Sequence, residues 1–207
     1  MNQTIVTLKK GEGRSFKAGG LWIYDNEIEQ MHAVVDRAAA AKVDAIIAAD
    51  QSVILYARSR GVEIHLSTQL NISNSEALEF YAQWADVTVL ARELSLEDIA
   101  QIHHTVPNTP LEVFVHGALC VSYSGQCYVS EACYGRSANR GECAQFCRLA
   151  FNMEDAEGRV IARDKHLLSL KDLNQSDRLE QLLDAGASSL KIEGRLKDVT
   201  YVKNVVA

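Results

Sequence analysis

All five cysteines of this chain lie within one window of 28 residues, from Cys120 to Cys147. Four of them form two spaced pairs, C-x6-C for Cys120 and Cys127 and C-x3-C for Cys143 and Cys147, with Cys133 between the pairs. Clustered thiols can bind a metal or a cluster, form disulfides, act as nucleophiles or simply be buried and inert. We favour metal or cluster binding and keep the other three as alternatives.

The rest of the composition narrows the explanation for these thiols. A chain of 207 residues suits one domain, or one domain with a small appendage. Its start lacks the apolar stretch of a signal peptide, and no apolar run reaches the length of a membrane span, so we expect a cytoplasmic protein without membrane contact. Cytoplasmic thiols stay reduced, which weakens the disulfide explanation. The formal net charge of −6 argues against a general nucleic-acid-coating surface but allows a local basic site.

The elements that must position the cysteines alternate between strand and helix patterns. Compact apolar runs predict buried parallel strands at 44–50, 63–69, 86–93, 110–120 and 188–194. Helical spacing of apolar residues predicts helices at 29–43, 51–61, 74–85, 95–106, 178–186 and 198–207. Repeated βα units predict a parallel sheet with right-handed crossovers, as in a (β/α)8 barrel or an open doubly wound sheet. A hairpin is predicted at 148–164, directly after the cysteine window.

The strand count predicts that the sheet is incomplete. About five parallel strands are visible, whereas a closed (β/α)8 barrel has about eight. Residues 4–8 could add a strand, but the glycine-rich basic stretch that follows shows no βα pattern. We therefore expect an open arc of parallel strands that forms part of a larger domain.

Polar side chains recur where each predicted strand ends. They are Asp50; Ser67, Thr68 and Gln69; Arg92 and Glu93; His116; and Lys191, Glu193 and Arg195. In a barrel these residues would converge on the one mouth where barrel enzymes keep their chemistry. His116 also precedes Cys120 by four residues along a strand, so a Cys-His dyad is geometrically possible, although strand-end histidines more often have no such role. His103 and His104 are expected on a solvated helix face.

The cysteine window resembles the signature of the collagenase-like peptidases, the thirty-second family of peptidases of unknown catalytic type. The positions that match the signature are Glu112, Phe114, Gly117, Ala118, Leu119, Cys120, Ser124, Gly125, Cys127 and Ser130. The segments RSANRGECAQFCR, EIHLSTQLNISN, LARELSLEDI and SLKIEGRLK are also similar to the family. The resemblance covers about residues 24–207 and leaves residues 1–23 unplaced.

The resemblance implies a fold and a set of activities. It implies a TIM-barrel-like domain over residues 24–207, here incomplete. Better-understood relatives are iron–sulfur proteins that support oxygen-independent hydroxylation, of a wobble uridine in transfer RNA, a cytidine in ribosomal RNA or the ubiquinone precursor ring, with prephenate as the suspected oxygen source. Our leading hypothesis is an RNA hydroxylation enzyme of the transfer-RNA branch, or a fragment of one. A genuine peptidase acting on peptides or collagen fragments, and an inactive or partner-dependent module, are the alternatives.

With the resemblance in hand, the four paired cysteines suit a [4Fe–4S] cluster. Cluster irons take cysteine sulfur as their protein ligand, and the Ser124–Gly125 turn could fold the chain around the cluster. Structural zinc is the closest alternative, but zinc sites more often use two short C-x2–4-C knuckles than a C-x6-C pair. Cys133 fits neither pair, and we predict that it is not a ligand.

Other side chains near the window could meet a substrate. Arg136, Arg140, Arg148 and Lys191 could bind RNA phosphate or a dicarboxylate such as prephenate, unless they pair with carboxylates such as Glu142 and Glu193. Glu193, Arg195 and His116 are the candidate catalytic residues. The aromatic residues of the window could stack on a base, but we expect them to shield the cluster from water; they are Tyr123, Tyr128, Tyr134 and Phe146.

Overall fold

The structure, a computed structural model, describes residues 4–9, 12–19, 22–194 and 197–207, with the backbone alone for 4–19. The strands, numbered β1 to β10, are Thr4–Lys9, Glu12–Gly19, Ala45–Ala48, Glu63–Leu66, Val87–Val89, Leu111–Gly117, Phe151–Glu154, Val160–Lys165, Leu173–Asn174 and Ala187–Glu193. The α-helices, numbered α1 to α7, are Ile28–Ala40, Gln51–Ser59, Ser75–Ala82, Leu96–Thr105, Val129–Tyr134, Leu179–Asp184 and Val199–Val206. None of the described helices is long and apolar enough to cross a bilayer.

Seven of the strands pair in a closed ring. Strands β3, β4, β5 and β6 are successive parallel neighbours, and β10 pairs in parallel with β6. Strand β2 lies parallel to β3, while β1 pairs antiparallel with both β2 and β10. The five strands predicted to be parallel neighbours are therefore confirmed, with their carboxyl ends on one side.

The open arc was a wrong expectation, because β10 pairs with both β6 and β1. The N-terminal strands β1 and β2 fill the space between β10 and β3. The predicted strand at 4–8 is confirmed as β1, whereas β2 was missed because its glycine-rich sequence has no apolar run. Within the described residues the ring contains seven strands, one of them antiparallel, so it differs from the eight parallel strands of a (β/α)8 barrel.

The two faces of the ring have different chemistry. Side chains alternate between the faces of a strand, and one set packs against the helices in the main apolar core, including Ile46, Ile64, Leu66 and Leu111. The alternate positions of the same strands face the interior of the ring, and part of this second set is buried as well. This second set includes polar side chains, namely His65, Glu112, Ser189 and Lys191.

The surrounding elements agree with the sequence pattern. Helix α3 is capped by Asn74, and helix α4 by Ser95 in a capping box with Asp98. The predicted hairpin is confirmed as the antiparallel pair β7–β8. His103 differs from expectation, because its ring packs against Gly186 and its Nδ1 is buried, while the neighbouring His104 is exposed.

Candidate functional site

The cysteine-rich segment, residues 118–148, begins directly beyond the carboxyl end of β6. Two arginines hold its first residues: Arg92 donates to the carbonyl of Ala118 at 3.2 Å, and Arg148 donates to the carbonyl of Leu119 at 2.7 Å. Arg148 also reaches the Ser169 hydroxyl at 2.8 Å, so it links the segment to the chain beyond the hairpin. The backbone just before Cys120 is therefore held in place at the edge of the ring.

The C-x6-C loop turns at Ser124, which is almost completely buried. The residue has φ of 45°, in the left-handed region that is unfavourable for side chains with a Cβ. Its N–H donates to Oε1 of Glu93 at 2.8 Å, and its hydroxyl donates to Oδ1 of Asn71 at 2.6 Å. These contacts tie the loop to the ends of strands β4 and β5.

The part of the segment around Cys127 is bonded to the stretch that leads to the second cysteine pair. The Cys127 N–H donates to Oδ1 of Asn139 at 2.9 Å, and both residues are buried. The N–H of Ala144 donates to the hydroxyl of Ser130 at 3.0 Å. The two cysteine pairs therefore belong to one hydrogen-bonded unit.

Only part of the predicted set of ligand cysteines is brought close together. Burial raises the pKa of the Cys147 thiol, and the neighbouring Cys120 and Cys143 raise this pKa further, against the opposing effect of Arg148. Cys147 thus lies near two of the other three predicted ligands, Cys120 and Cys143. Yet no group of three or more His, Cys, Asp or Glu side chains within the described residues is placed to hold a metal ion. Convergence of all four thiols therefore stays a prediction, as does the exclusion of Cys133, which is exposed.

Backbone amides already point at two of the sulfurs. The N–H of Ser122 donates to Sγ of Cys120 at 3.4 Å, and the N–H of Gln145 donates to Sγ of Cys143 at 3.3 Å. Amide donors of this kind stabilise thiolates and tune the potential of a bound cluster. The donor set of soft sulfurs with amide partners fits an iron–sulfur cluster, and four cysteines also fit zinc.

Three of the four predicted substrate-binding cations are engaged within the protein. Arg140 donates to both carboxylate oxygens of Glu27, at 2.9 and 2.5 Å, and to the carbonyl of Trp22 at 3.0 Å. The hydrogen bonds from Arg140, followed by one from the Tyr24 backbone, lower the pKa of Glu27 to about 2. Arg148 donates hydrogen bonds to the carbonyl of Leu119 and to the hydroxyl of Ser169, and Lys191 is buried.

These contacts favour the ion-pair alternative for Arg140, with Glu27 in place of the expected Glu142. Lys191 is likewise paired, with Glu112. Arg136 is exposed, and its predicted role in substrate binding stays a prediction.

Two of the candidate catalytic residues, His116 and Glu193, lie on the rim at the carboxyl ends of the neighbouring strands β6 and β10. Nδ1 of His116 lies 2.6 Å from the hydroxyl of Tyr201 on α7, and no described thiol is hydrogen-bonded to a histidine ring. The carboxylate of Glu193 lies 3.7 Å from the guanidinium of Arg92. Arg195 falls outside the described residues, so its role stays a prediction. Asp50, another strand-end residue, accepts from the N–H groups of Ser52 and Ile23 and has a structural role as the cap of α2.

A cluster of buried charged and polar side chains lies in the interior of the ring, beneath this rim. Nζ of Lys191 lies 2.8 Å from Oε1 of Glu112, and the Ser189 hydroxyl donates to Oε2 of Glu112 at 2.7 Å. Burial alone would raise the pKa of Glu112, but Lys191 and Ser189 bring this pKa below its ordinary value. Burial lowers the pKa of the nearby His65, which contacts Glu63 at 2.9 Å.

No role was predicted for the Glu112 carboxylate or for Ser189, whereas Lys191 was predicted to bind substrate and is instead paired with Glu112. The available signal was a carboxylate within an otherwise apolar strand pattern, since a buried charge requires a partner. The guanidinium of Arg92 lies over the ring of Phe114 at 3.7 Å and connects this interior group to the rim.

The tyrosines of the cysteine-rich segment do not shield it from water as expected. Tyr128 is 71% exposed, Tyr123 56% and Tyr134 51%. Their exposed aromatic faces are instead available for contact with another molecule.

Comparison with known proteins places this geometry in a family. The model of peptidase family U32 matches residues 9–207, a stretch that begins before residue 24. Strands β1 and β2 pair with the rest of the sheet, and the proposed division at residue 23 stays a prediction. The chain is similar to the 23S rRNA 5-hydroxycytidine C2501 synthase of Escherichia coli, with 47% identity over 186 residues, which are 89% of this chain and 28% of that protein.

Two further relatives carry different names. A collagenase of Porphyromonas gingivalis is 43% identical over 195 residues, covering 88% of this chain and 47% of that protein. A tRNA hydroxylation protein P of Helicobacter pylori is 36% identical over 191 residues, covering 86% of this chain and 45% of that protein. The chain thus spans about half the length of these two relatives and less of the ribosomal RNA synthase.

Proposed function

The chain belongs to peptidase family U32, and we propose that it is the cysteine-bearing part of an enzyme that hydroxylates RNA. The observation that carries this proposal is the attachment of the cysteine-rich segment to the carboxyl edge of the parallel strands, next to charged rim residues. Relatives named for hydroxylation of ribosomal and transfer RNA supply the reaction and the substrate class.

We infer that Cys120, Cys127, Cys143 and Cys147 hold a [4Fe–4S] cluster. When bound, such a cluster supplies one-electron transfer at a potential set by its ligands and surroundings. The proximity of Cys147 to Cys120 and Cys143, and the amide donors to two of the sulfurs, support this assignment. Binding would require Cys127, which lies on the same hydrogen-bonded unit, to join the other three.

The residues of the chain would bind and orient the RNA around this site. The exposed rings of Tyr123, Tyr128 and Tyr134 offer faces on which an unpaired base could stack, and the exposed Arg136 could meet a phosphate. Glu193, held near Arg92, and His116, bonded to Tyr201, would lie on the rim that the base approaches. Prephenate as oxygen donor and a cytoplasmic location stay predictions.

The RNA class divides into two specific substrates. The resemblance favours a wobble uridine of transfer RNA, whereas the ribosomal RNA relative is more similar to this chain than the transfer-RNA relative, at 47% against 36% identity. Both substrates therefore belong in the same experiment. Mass spectrometry of nucleosides from cells with and without the gene would show which hydroxylated nucleoside depends on it.

The decisive measurement on the protein is metal analysis after anaerobic purification. We expect iron and sulfide in the parent and in Cys133→Ala, and their loss together with RNA hydroxylation in Cys143→Ala. Zinc in place of iron would overturn the cluster assignment. Unchanged RNA hydroxylation in Cys143→Ala would overturn the role of the cysteine site.

A peptidase is the second candidate, favoured by the collagenase relative at 43% identity. A cysteine peptidase needs a thiolate beside a base, and the described thiols have no histidine partner. His116 instead contacts Tyr201. Cleavage of gelatin or peptides at the parent rate by Cys143→Ala, with no iron in the parent, would favour this candidate.

A further inference from the structure

The geometry points to Glu93 as a positioning residue for the cysteine site: its carboxylate fixes the Ser124 turn that joins Cys120 to Cys127. This inference rests on the proposed function, because it assigns a role in the same site. Glu93 follows strand β5, 31 residues before Ser124 in sequence, so it links the segment to the ring through a tertiary contact.

The turn at Ser124 needs an external support. A non-glycine residue in the left-handed region persists only where surrounding contacts hold it. Ser124 is 1% exposed with φ of 45°, and its N–H donates to Oε1 of Glu93 at 2.8 Å. Its hydroxyl donates to Asn71 at 2.6 Å and lies 3.4 Å from the other oxygen of Glu93. A carboxylate that accepts a backbone N–H makes the stronger, charge-assisted kind of hydrogen bond.

Glu93 acts beside a second contact of opposite charge. Its neighbour Arg92 donates to the carbonyl of Ala118, two residues before Cys120, while Glu93 accepts from the N–H four residues after Cys120. Adjacent residues at one strand end thus hold the chain on both sides of this cysteine. Loss of the Glu93 contact would leave the turn without its charged partner and release the path from Cys120 to Cys127.

The test measures thiol reactivity in the reduced, metal-free chain, so it does not depend on the cluster. Alkylation by iodoacetamide is followed at each cysteine by peptide mass spectrometry. We expect Glu93→Ala to speed alkylation of the buried Cys127 by about tenfold, the effect of losing one hydrogen bond to a charged group on local opening. The exposed Cys133 serves as an internal reference, and Glu79→Ala, at an exposed carboxylate of α3, is the matched control.

Two further variants separate positioning from general stability. Glu93→Gln keeps an acceptor oxygen of the same reach, and we expect it to restore most of the protection of Cys127. Glu93→Asp keeps the charge but is one methylene shorter, and we expect faster alkylation of Cys127 at an unchanged urea midpoint. If Glu93→Ala does not fold, the alkylation rate of Cys127 in Glu93→Asp tests the inference instead. Alkylation of Cys127 at the parent rate in Glu93→Asp would overturn the inference.

Cluster loading then distinguishes this inference from the proposed function. In anaerobically reconstituted protein, we expect Glu93→Asp to change the electron paramagnetic resonance signal of the reduced cluster, while Glu79→Ala leaves the signal unchanged. A parent without iron, combined with faster Cys127 alkylation in Glu93→Asp, would reject the cluster and retain the positioning role. A parent with iron and unchanged alkylation in the variant would retain the cluster and reject the role of Glu93.

Discussion

Lys191 and Glu112 form an ion pair inside the strand ring, with 2.8 Å between Nζ and Oε1 and side-chain exposures of 7% and 0%. The two residues lie on β10 and β6, the parallel neighbours whose carboxyl ends carry the rim of the site. Two charges removed from water stabilise a fold only through their mutual contact and their hydrogen bonds. The pair therefore makes the fold sensitive to the loss of either partner.

Replacing one partner should be strongly destabilising. We expect Lys191→Met to lower the free energy of unfolding by about 3–5 kcal/mol, because the variant leaves the Glu112 carboxylate buried without its cation. Urea denaturation followed by circular dichroism measures the loss. Lys203→Met, at an exposed lysine of α7, is the matched control and should remain within about 0.5 kcal/mol of the parent. Equal midpoints for the two variants would contradict the importance of the pair.

The buried residues His65 and Glu112 inside the ring should also make the stability of the fold depend on pH. Burial lowers the pKa of His65 below its ordinary 6.5, so the unfolded chain takes up a proton before the folded protein does. The contribution of His65 to stability is therefore complete above pH 6.5, and it is lost as the pH falls through the lower pKa of the folded state. The lowered pKa of Glu112 acts in the same direction below its ordinary 4.5. We expect the free energy of unfolding to decline in both ranges.

Substitution can assign the upper range to His65. In His65→Gln, the decline below pH 6.5 should become shallower, because the protonation step is removed. His104→Gln, at an exposed histidine, should keep the slope of the parent. Urea denaturation at a series of pH values under reducing conditions measures both slopes. A parental slope in His65→Gln would show that other groups cause the decline.

Sequence patterns predicted the strands in which every residue has the same buried environment. The run Ala45–Ala48 is buried throughout, as expected for a parallel strand with both faces covered. Strand β2, Glu12–Gly19, has no such run, and its place is set by pairing with β1 and β3. Because that pairing depends on backbone hydrogen bonds, composition could not reveal that the ring closes.

The four candidate ligands could be proposed from the sequence and stay a prediction, whereas the residues that hold the cysteine-rich segment in place could not be predicted. The spacing of the cysteines is local and stands in the sequence, whereas Glu93 meets Ser124 across 31 residues and Glu27 meets Arg140 across 113. Only the fold brings such residues together. For the same reason the sequence left open whether Arg140 binds substrate or pairs with a carboxylate, and it could not identify Glu27 as the partner.

Closure of the ring should depend on one glycine. Gly117, at the end of β6, has φ of 125°, and a Cβ there would collide with the backbone carbonyl of Glu193 on β10. We expect Gly117→Ala to cost about 3 kcal/mol or more, from backbone strain together with the collision. Gly158→Ala is the control, since this hairpin glycine also has positive φ, 79°, but open space around it, so its cost should be about 1–2 kcal/mol. Similar urea midpoints for both variants would contradict close packing at Gly117.

The contact between Glu27 and Arg140 should control how tightly the cysteine-rich segment is held. The low pKa of Glu27, about 2, means that the carboxylate stays charged and paired as pH falls through its ordinary 4.5. Glu27→Gln removes that charge, and we expect trypsin to cleave after Arg136 about three- to fivefold faster, because the partly exposed pair no longer restrains the segment. Glu29→Gln, at an exposed position of α1, should leave cleavage at the parental rate. Cleavage at equal rates in the two variants would show that the segment is held by its other contacts.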